Sequence, residues 1–131
     1  MTGQAPLVLV VDDTAETRRL MRRALERDRL RVVEAASGED ALRVIRTSRP
    51  QIVVLDLRLP GMSGFDVARE LRANDDPDLA RTLILACSAS VQAEIREEAL
   101  ESGCDAFEGK PFDIAAFPGL VRDVIAQSER R

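Results

Sequence analysis

The sequence predicts an α/β fold built on a parallel sheet, because short apolar, β-branched runs alternate with longer segments of helical period from one end to the other. A second observation sharpens it. The runs at residues 7–11, 52–56 and 83–86 are almost continuously hydrophobic, as central strands covered on both faces must be. The runs at 31–35 and 105–108 are less apolar and are expected at the sheet edges.

Helices are expected in the gaps. Leu20, Met21, Ala24 and Leu25 give the first an apolar stripe, and Arg18, Arg19, Arg22, Arg23 and Arg27 fill the rest of its surface. Ala41, Leu42 and Ile45 serve the second helix, and Phe65, Ala68 and Leu71 the third. Val91, Ile95 and Ala99 serve the fourth, which Gly103 ends. The fifth is predicted over about 113–127, where Pro118-Gly119 requires either a kink or a late start, since proline lacks a backbone donor and glycine costs about 1 kcal/mol in a helix interior.

With 131 residues, 45% of them hydrophobic and 32% charged, the chain is expected to be one domain with one core. Residues 1–131 are therefore read as a single domain, with no repeat, linker or attached output domain. No apolar run approaches the roughly 20 residues of a membrane span, and the opening MTGQAP lacks the basic start and apolar stretch of a signal peptide. A cytoplasmic location without membrane contact is expected, and Met1 with the short tails favours a complete small protein.

Absences narrow the chemistry further. Without histidine the chain holds no Ser-His-Asp or Cys-His catalytic group, no His-based zinc motif and no phosphohistidine. Four Phe are its only aromatics, and a net charge of −4 opposes direct nucleic-acid binding. Cys87 and Cys104 share no metal-ligand spacing and are expected to be small buried residues.

In an open parallel sheet ligands bind beyond the carboxyl ends of the strands. There the sequence places Asp12 and Asp13, Asp56, Ser88 and Lys110. Taken singly, each has a structural explanation: Asp12 or Asp13 capping the next helix, Ser88 or Ser90 capping the fourth, Pro111 opening a turn. Together they carry more. Three carboxylates in one crevice repel one another unless a cation joins them, and Mg²⁺ suits one or two carboxylates shared with a phosphoryl group. Lys110 is the only lysine beside eighteen arginines, and its compact ammonium fits a phosphoryl oxygen.

VLVVDD at 8–13, VVLDLRLPGMSGFD at 53–66, ACSA at 86–89 and GKPF at 109–112 resemble, in order and spacing, the receiver domains of two-component response regulators. The resemblance covers essentially the whole chain. It implies a flavodoxin-like (βα)5 doubly wound sandwich with strand order 2-1-3-4-5. It also implies that Asp56 is the phosphoacceptor, receiving its phosphoryl group from a sensor histidine kinase or a histidine phosphotransfer protein. Asp13, Asp56 and the backbone carbonyl of Arg58 would bind Mg²⁺, with Asp12 acting mostly through water. Lys110, Ser88 and Ala89 would contact the phosphoryl group, and Phe107 would swing inward as Ser88 moves. A cis peptide is implied between Lys110 and Pro111. Arg58 and Ser90 occupy places that tune acyl-phosphate lifetime; the long Arg58 side chain is read as a shield against water, with a solvent-exposed arginine of no kinetic role as the alternative. The readout would be a downstream protein bound through the fourth helix, fifth strand and fifth helix.

The chain is thus expected to be a stand-alone signalling domain, enzymatic only toward itself. The arginines of the first helix are expected to be a solvated face, with docking of an acidic partner as the alternative. Other readings are an unphosphorylated scaffold and a receiver fragment of a larger hybrid kinase. A haloacid-dehalogenase-like phosphatase is disfavoured, since Arg58 stands where that chemistry needs a second Asp, and flavodoxin-like cofactor binding lacks its phosphate loop.

Overall fold

A computed structural model describes residues 4–110 and 113–130. In chain order the elements are β1 (Leu7–Val11), α1 (Ala15–Arg27), β2 (Arg31–Ala35), α2 (Gly38–Ser48), β3 (Ile52–Asp56), α3 (Gly64–Arg72), α4 (Pro77–Ala80), β4 (Leu83–Ser88), α5 (Ala93–Glu101), β5 (Ala106–Gly109) and α6 (Phe117–Glu129). All strand pairs are parallel and the order is β2-β1-β3-β4-β5. The two less apolar strands are the edges, as expected.

Alternation along β1 divides the core into two layers. Val8 and Val10 face a layer with Met21, Leu25, Phe117 and Val121 from α1 and α6. Leu9 and Val11 face the opposite layer, with Ile45, Val67, Leu71 and Ala99 from α2, α3 and α5. Because both faces are covered, β3 is buried throughout.

Several sequence expectations are corrected. Leu20 is 54% exposed: it lies on the solvent side of α1, whose buried residues are Met21 and Leu25. Val91 is 64% exposed and precedes α5, which starts at Ala93, so the expected fourth helix is shorter. The one-turn α4 is additional to the expected helices; Asp76 accepts a hydrogen bond from Asp78 N and Pro77 sits in the first turn. With α4 present, the expected fourth and fifth helices are α5 and α6. β4 runs on to Ser88, because Lys110 N donates to Ser88 O and extends the ladder. β5 begins one residue later than expected.

Pro118-Gly119 resolves as a late start rather than a kink. Pro118 is in the first turn of α6, where its missing N–H breaks no helical bond, and Leu120 N already donates to Ala116 O.

Candidate functional site

The site is built at the carboxyl ends of β1, β3, β4 and β5. Asp12 follows β1 and is buried, with its N–H on Ala35 O. It does not cap α1: the cap is Thr14, whose N–H donates to Asp12 Oδ1 at 2.9 Å. Arg18 Nη1 donates to the Asp12 carbonyl at 2.6 Å and its Nε to Glu34. Asp12 is thereby held from three directions, and its Oδ2 accepts from Lys110 Nζ at 2.7 Å.

Asp56 ends β3 and is buried. Its Oδ1 accepts from Arg58 N at 3.0 Å and its Oδ2 from Lys110 Nζ at 3.3 Å. The chain beyond it is fixed by Leu57 N on Cys87 O and Gly64 N on Leu57 O. A Cβ on Gly64 would stand 2.6 Å from Asp56 O and 2.7 Å from the Leu57 Cα, so only glycine lets α3 start this close to the strand end. Ser63 and Asp66 cap α3 reciprocally.

Asp12, Asp13 and Asp56 each offer a carboxylate oxygen within 4.8 Å of the others. An octahedral Mg²⁺ with bonds of about 2.1 Å spans roughly 4 Å between opposite ligands, so this donor set suits it. The electrostatics agree. Burial raises the Asp56 carboxyl above its ordinary range, and the Asp12 charge adds to this, while the Arg58 N–H and the Lys110 charge pull the other way. For Lys110, burial lowers the pKa, but the hydrogen bond to Asp12 and the charges of Asp56 and Asp12 outweigh it and leave the pKa raised. The lysine stays protonated beside a carboxylate whose ionised form it and the Arg58 N–H compensate only in part.

Ser88 ends β4, buried, with Oγ accepting from Ser90 N at 3.1 Å. Neither serine caps α5; Gln92 does so without a side-chain bond. Ala89 and Arg58 are exposed. Phe107 is 8% exposed in the core layer, paired in register with Ala86. The expected cis peptide before Pro111 lies outside the described residues. Cys87 and Cys104 are free and buried, and burial pushes their thiols up to about 12 and about 11.

Sequence reasoning missed Arg18, which it placed in a solvated stripe. The available signal was Glu34, a carboxylate within the apolar strand run beside the arginine-rich helix. It also missed Arg96, whose Cζ lies 5.0 Å from the Phe107 ring centre.

The family model for the response regulator receiver domain matches residues 8–122. The transcriptional regulatory protein AfsQ1 of Streptomyces coelicolor is 35% identical over 95% of this chain and 53% of its own length. The probable transcriptional regulatory protein TcrX of Mycobacterium tuberculosis is 38% identical over 86% of this chain and 46% of its own. The chain thus spans about half the length of the curated relatives it matches. Among solved structures, the receiver domain of the Francisella response regulator 1452 is 27% identical with a TM-score of 0.83, covering 94% of this chain and 98% of that one. Vibrio cholerae chemotaxis protein CheY4 is 25% identical with a TM-score of 0.85, covering 92% and 98%. The strand order, the acidic group at the strand ends and a family match across most of the sequence agree: this chain belongs to the response regulator receiver family of two-component signalling.

Proposed function

We propose that residues 1–131 act as one receiver domain that accepts a phosphoryl group on Asp56 and passes the signal on through a protein contact. The observation that carries this reading is the convergence of Asp12, Asp13 and Asp56 around the Lys110 ammonium, which already bonds two of them. No histidine is present, so the phosphohistidine belongs to a sensor histidine kinase or histidine phosphotransfer protein.

A carboxylate oxygen of Asp56 attacks phosphorus in line with the donor. The P–N bond breaks, its electron pair leaves with the imidazole nitrogen, which takes a proton from solvent, and an acyl phosphate remains on Asp56. Asp13, Asp56 and the Arg58 carbonyl would hold Mg²⁺, with Asp12 mostly through water; the ion supplies charge neutralisation to the transferring group. Lys110 transfers its hydrogen bond from Asp56 Oδ2 to a phosphoryl oxygen, and Ser88 turns its hydroxyl to another, beside the Ala89 backbone. Phe107 exchanges between an outward place and its buried one, and this shift of Ser88 favours the buried one. The added charge of about −1.5 to −2 biases an equilibrium between arrangements separated by a few kcal/mol. The altered surface lies on α5, β5 and α6.

The chain turns over no separate substrate; its chemistry is transfer to and hydrolysis from Asp56. A net charge of −4 directs the output to protein rather than nucleic acid. A link to transcription, as the names of the relatives suggest, would pass through that partner or a further segment. The setting is cytoplasmic, consistent with the lack of any helix long and apolar enough to cross a membrane among the described residues. Arg58, exposed two residues beyond Asp56, screens the acyl phosphate from water, and Ser90 adjusts access from the other side. Arg58→Asn should therefore shorten the phosphoryl lifetime, and equal decay rates would remove that role.

Incubation with acetyl phosphate and Mg²⁺, read by intact mass, tests the reading. One added phosphoryl group, lost in Asp56→Ala and without metal, is expected. No adduct from acetyl phosphate or from a phosphohistidine donor would refute it.

A further inference from the structure

We infer that Arg96 is a positioning residue that holds Phe107 in its buried place and so couples α5 to the phosphoacceptor site, an inference that rests on the receiver reading above. α5 is lightly packed: Ala99 is its buried residue, Ile95 is half-buried, and Leu100 is 49% exposed. Its carboxyl end is tied to α3. Arg69 Nη1 donates to Ser102 Oγ at 2.9 Å, Arg72 Nε to Gly103 O at 2.9 Å, and Arg72 Nη2 to Asp105 Oδ2 at 2.8 Å. A Cβ on Gly103, at φ +109°, would lie 2.5 Å from the Arg72 side chain, so the tie needs glycine there.

Nearer its amino end, α5 reaches the strand layer through Arg96. The guanidinium lies 5.0 Å from the Phe107 ring centre, inside the roughly 6 Å range of a cation–π contact. Phe107 stands opposite Ala86, two residues before Ser88 on β4, and three residues before Lys110. The ring is therefore linked through two adjacent strands to the groups that would meet a phosphoryl ligand. Movement of the ring changes what Arg96 packs on, and α5 responds about its anchored carboxyl end. A cation over the ring face also favours the inward ring before any ligand arrives. Removing it makes the ligand work against an outward ring.

The test uses the whole chain with ¹³C-labelled phenylalanine, since only four Phe are present and Phe107→Leu assigns the ring. Beryllofluoride with Mg²⁺ is the phosphoryl probe. Arg96→Met and Arg96→Gln should shift the Phe107 ring resonances in the ligand-free protein and weaken beryllofluoride binding about two- to fivefold. Arg96→Lys, which keeps a cation, should restore most of both. Unchanged ring resonances and affinity in Arg96→Met, with a full wild-type response, would overturn this inference alone. A wild-type chain with no response to beryllofluoride would overturn the receiver reading and the inference with it.

Discussion

The two helices flanking the acidic group, α1 and α5, are held in opposite ways. α1 buries Met21 and Leu25, and its Arg18 and Arg22 meet Glu34 of β2 at 3.0 and 2.8 Å. Arg18 also fixes the Asp12 carbonyl, and Arg22 Nη2 donates to Val32 O. α5 buries Ala99 and leans on the Phe107 ring through Arg96. Elements with few buried apolar contacts open at low free-energy cost. The Asp12 side of the site is thus braced by buried apolar and ionic contacts, whereas α5, which packs on Phe107, is the more weakly held helix.

The largest expected contrast is in packing. Leu25→Ala in α1 should destabilise the fold by about 3 kcal/mol in urea denaturation, because a fully buried leucine leaves a cavity. Ile95→Ala in half-buried α5 should cost about 1 kcal/mol. Equal losses would end the distinction between the two sides.

A smaller effect isolates the polar part of the α1 side. The Arg22 guanidinium hydrogen-bonded to Glu34 holds its carboxyl below the usual range, with Arg18 adding to this against the opposing effect of burial. A folded pKa below the unfolded one means stability that is complete above the ordinary glutamate value near 4.3 and is lost as pH falls through the lower folded value. Glu34→Gln should therefore cost about 1 kcal/mol at pH 7, and wild type and variant should converge toward about pH 3. A pH-independent difference would mean that Glu34 acts by packing and not by charge.

Much of this was legible in the sequence, and the reasons are local. β1, β2 and β3 announce themselves as apolar runs with the bounds observed, and the strand-end rule alone brings Asp12, Asp13, Asp56 and Lys110 together. What stayed hidden depends on contacts between distant residues. The periodicity of α1 could not say that Leu20 lies outside the stripe's buried edge, nor could the 91–99 pattern show that Val91 precedes its helix. The end of β4 depends on a bond from Lys110 that no local run encodes. Arg18 on Asp12 reads as part of a solvated stripe, and nothing local to Arg96 points to Phe107. The one-turn α4 did have a signal in Asp76-Pro77, but it is too short for periodicity to register.

The central claim is that phosphoryl transfer ends on Asp56, and borohydride trapping tests it most directly. Reduction of the chain after incubation with a phosphohistidine donor and Mg²⁺ converts an acyl phosphate to an alcohol at the residue that carried it. Peptide mass spectrometry should find that change at Asp56 and at neither Asp12 nor Asp13. Reduction at one of those two residues, or none under conditions that transfer the phosphoryl group to the chain, would contradict the account.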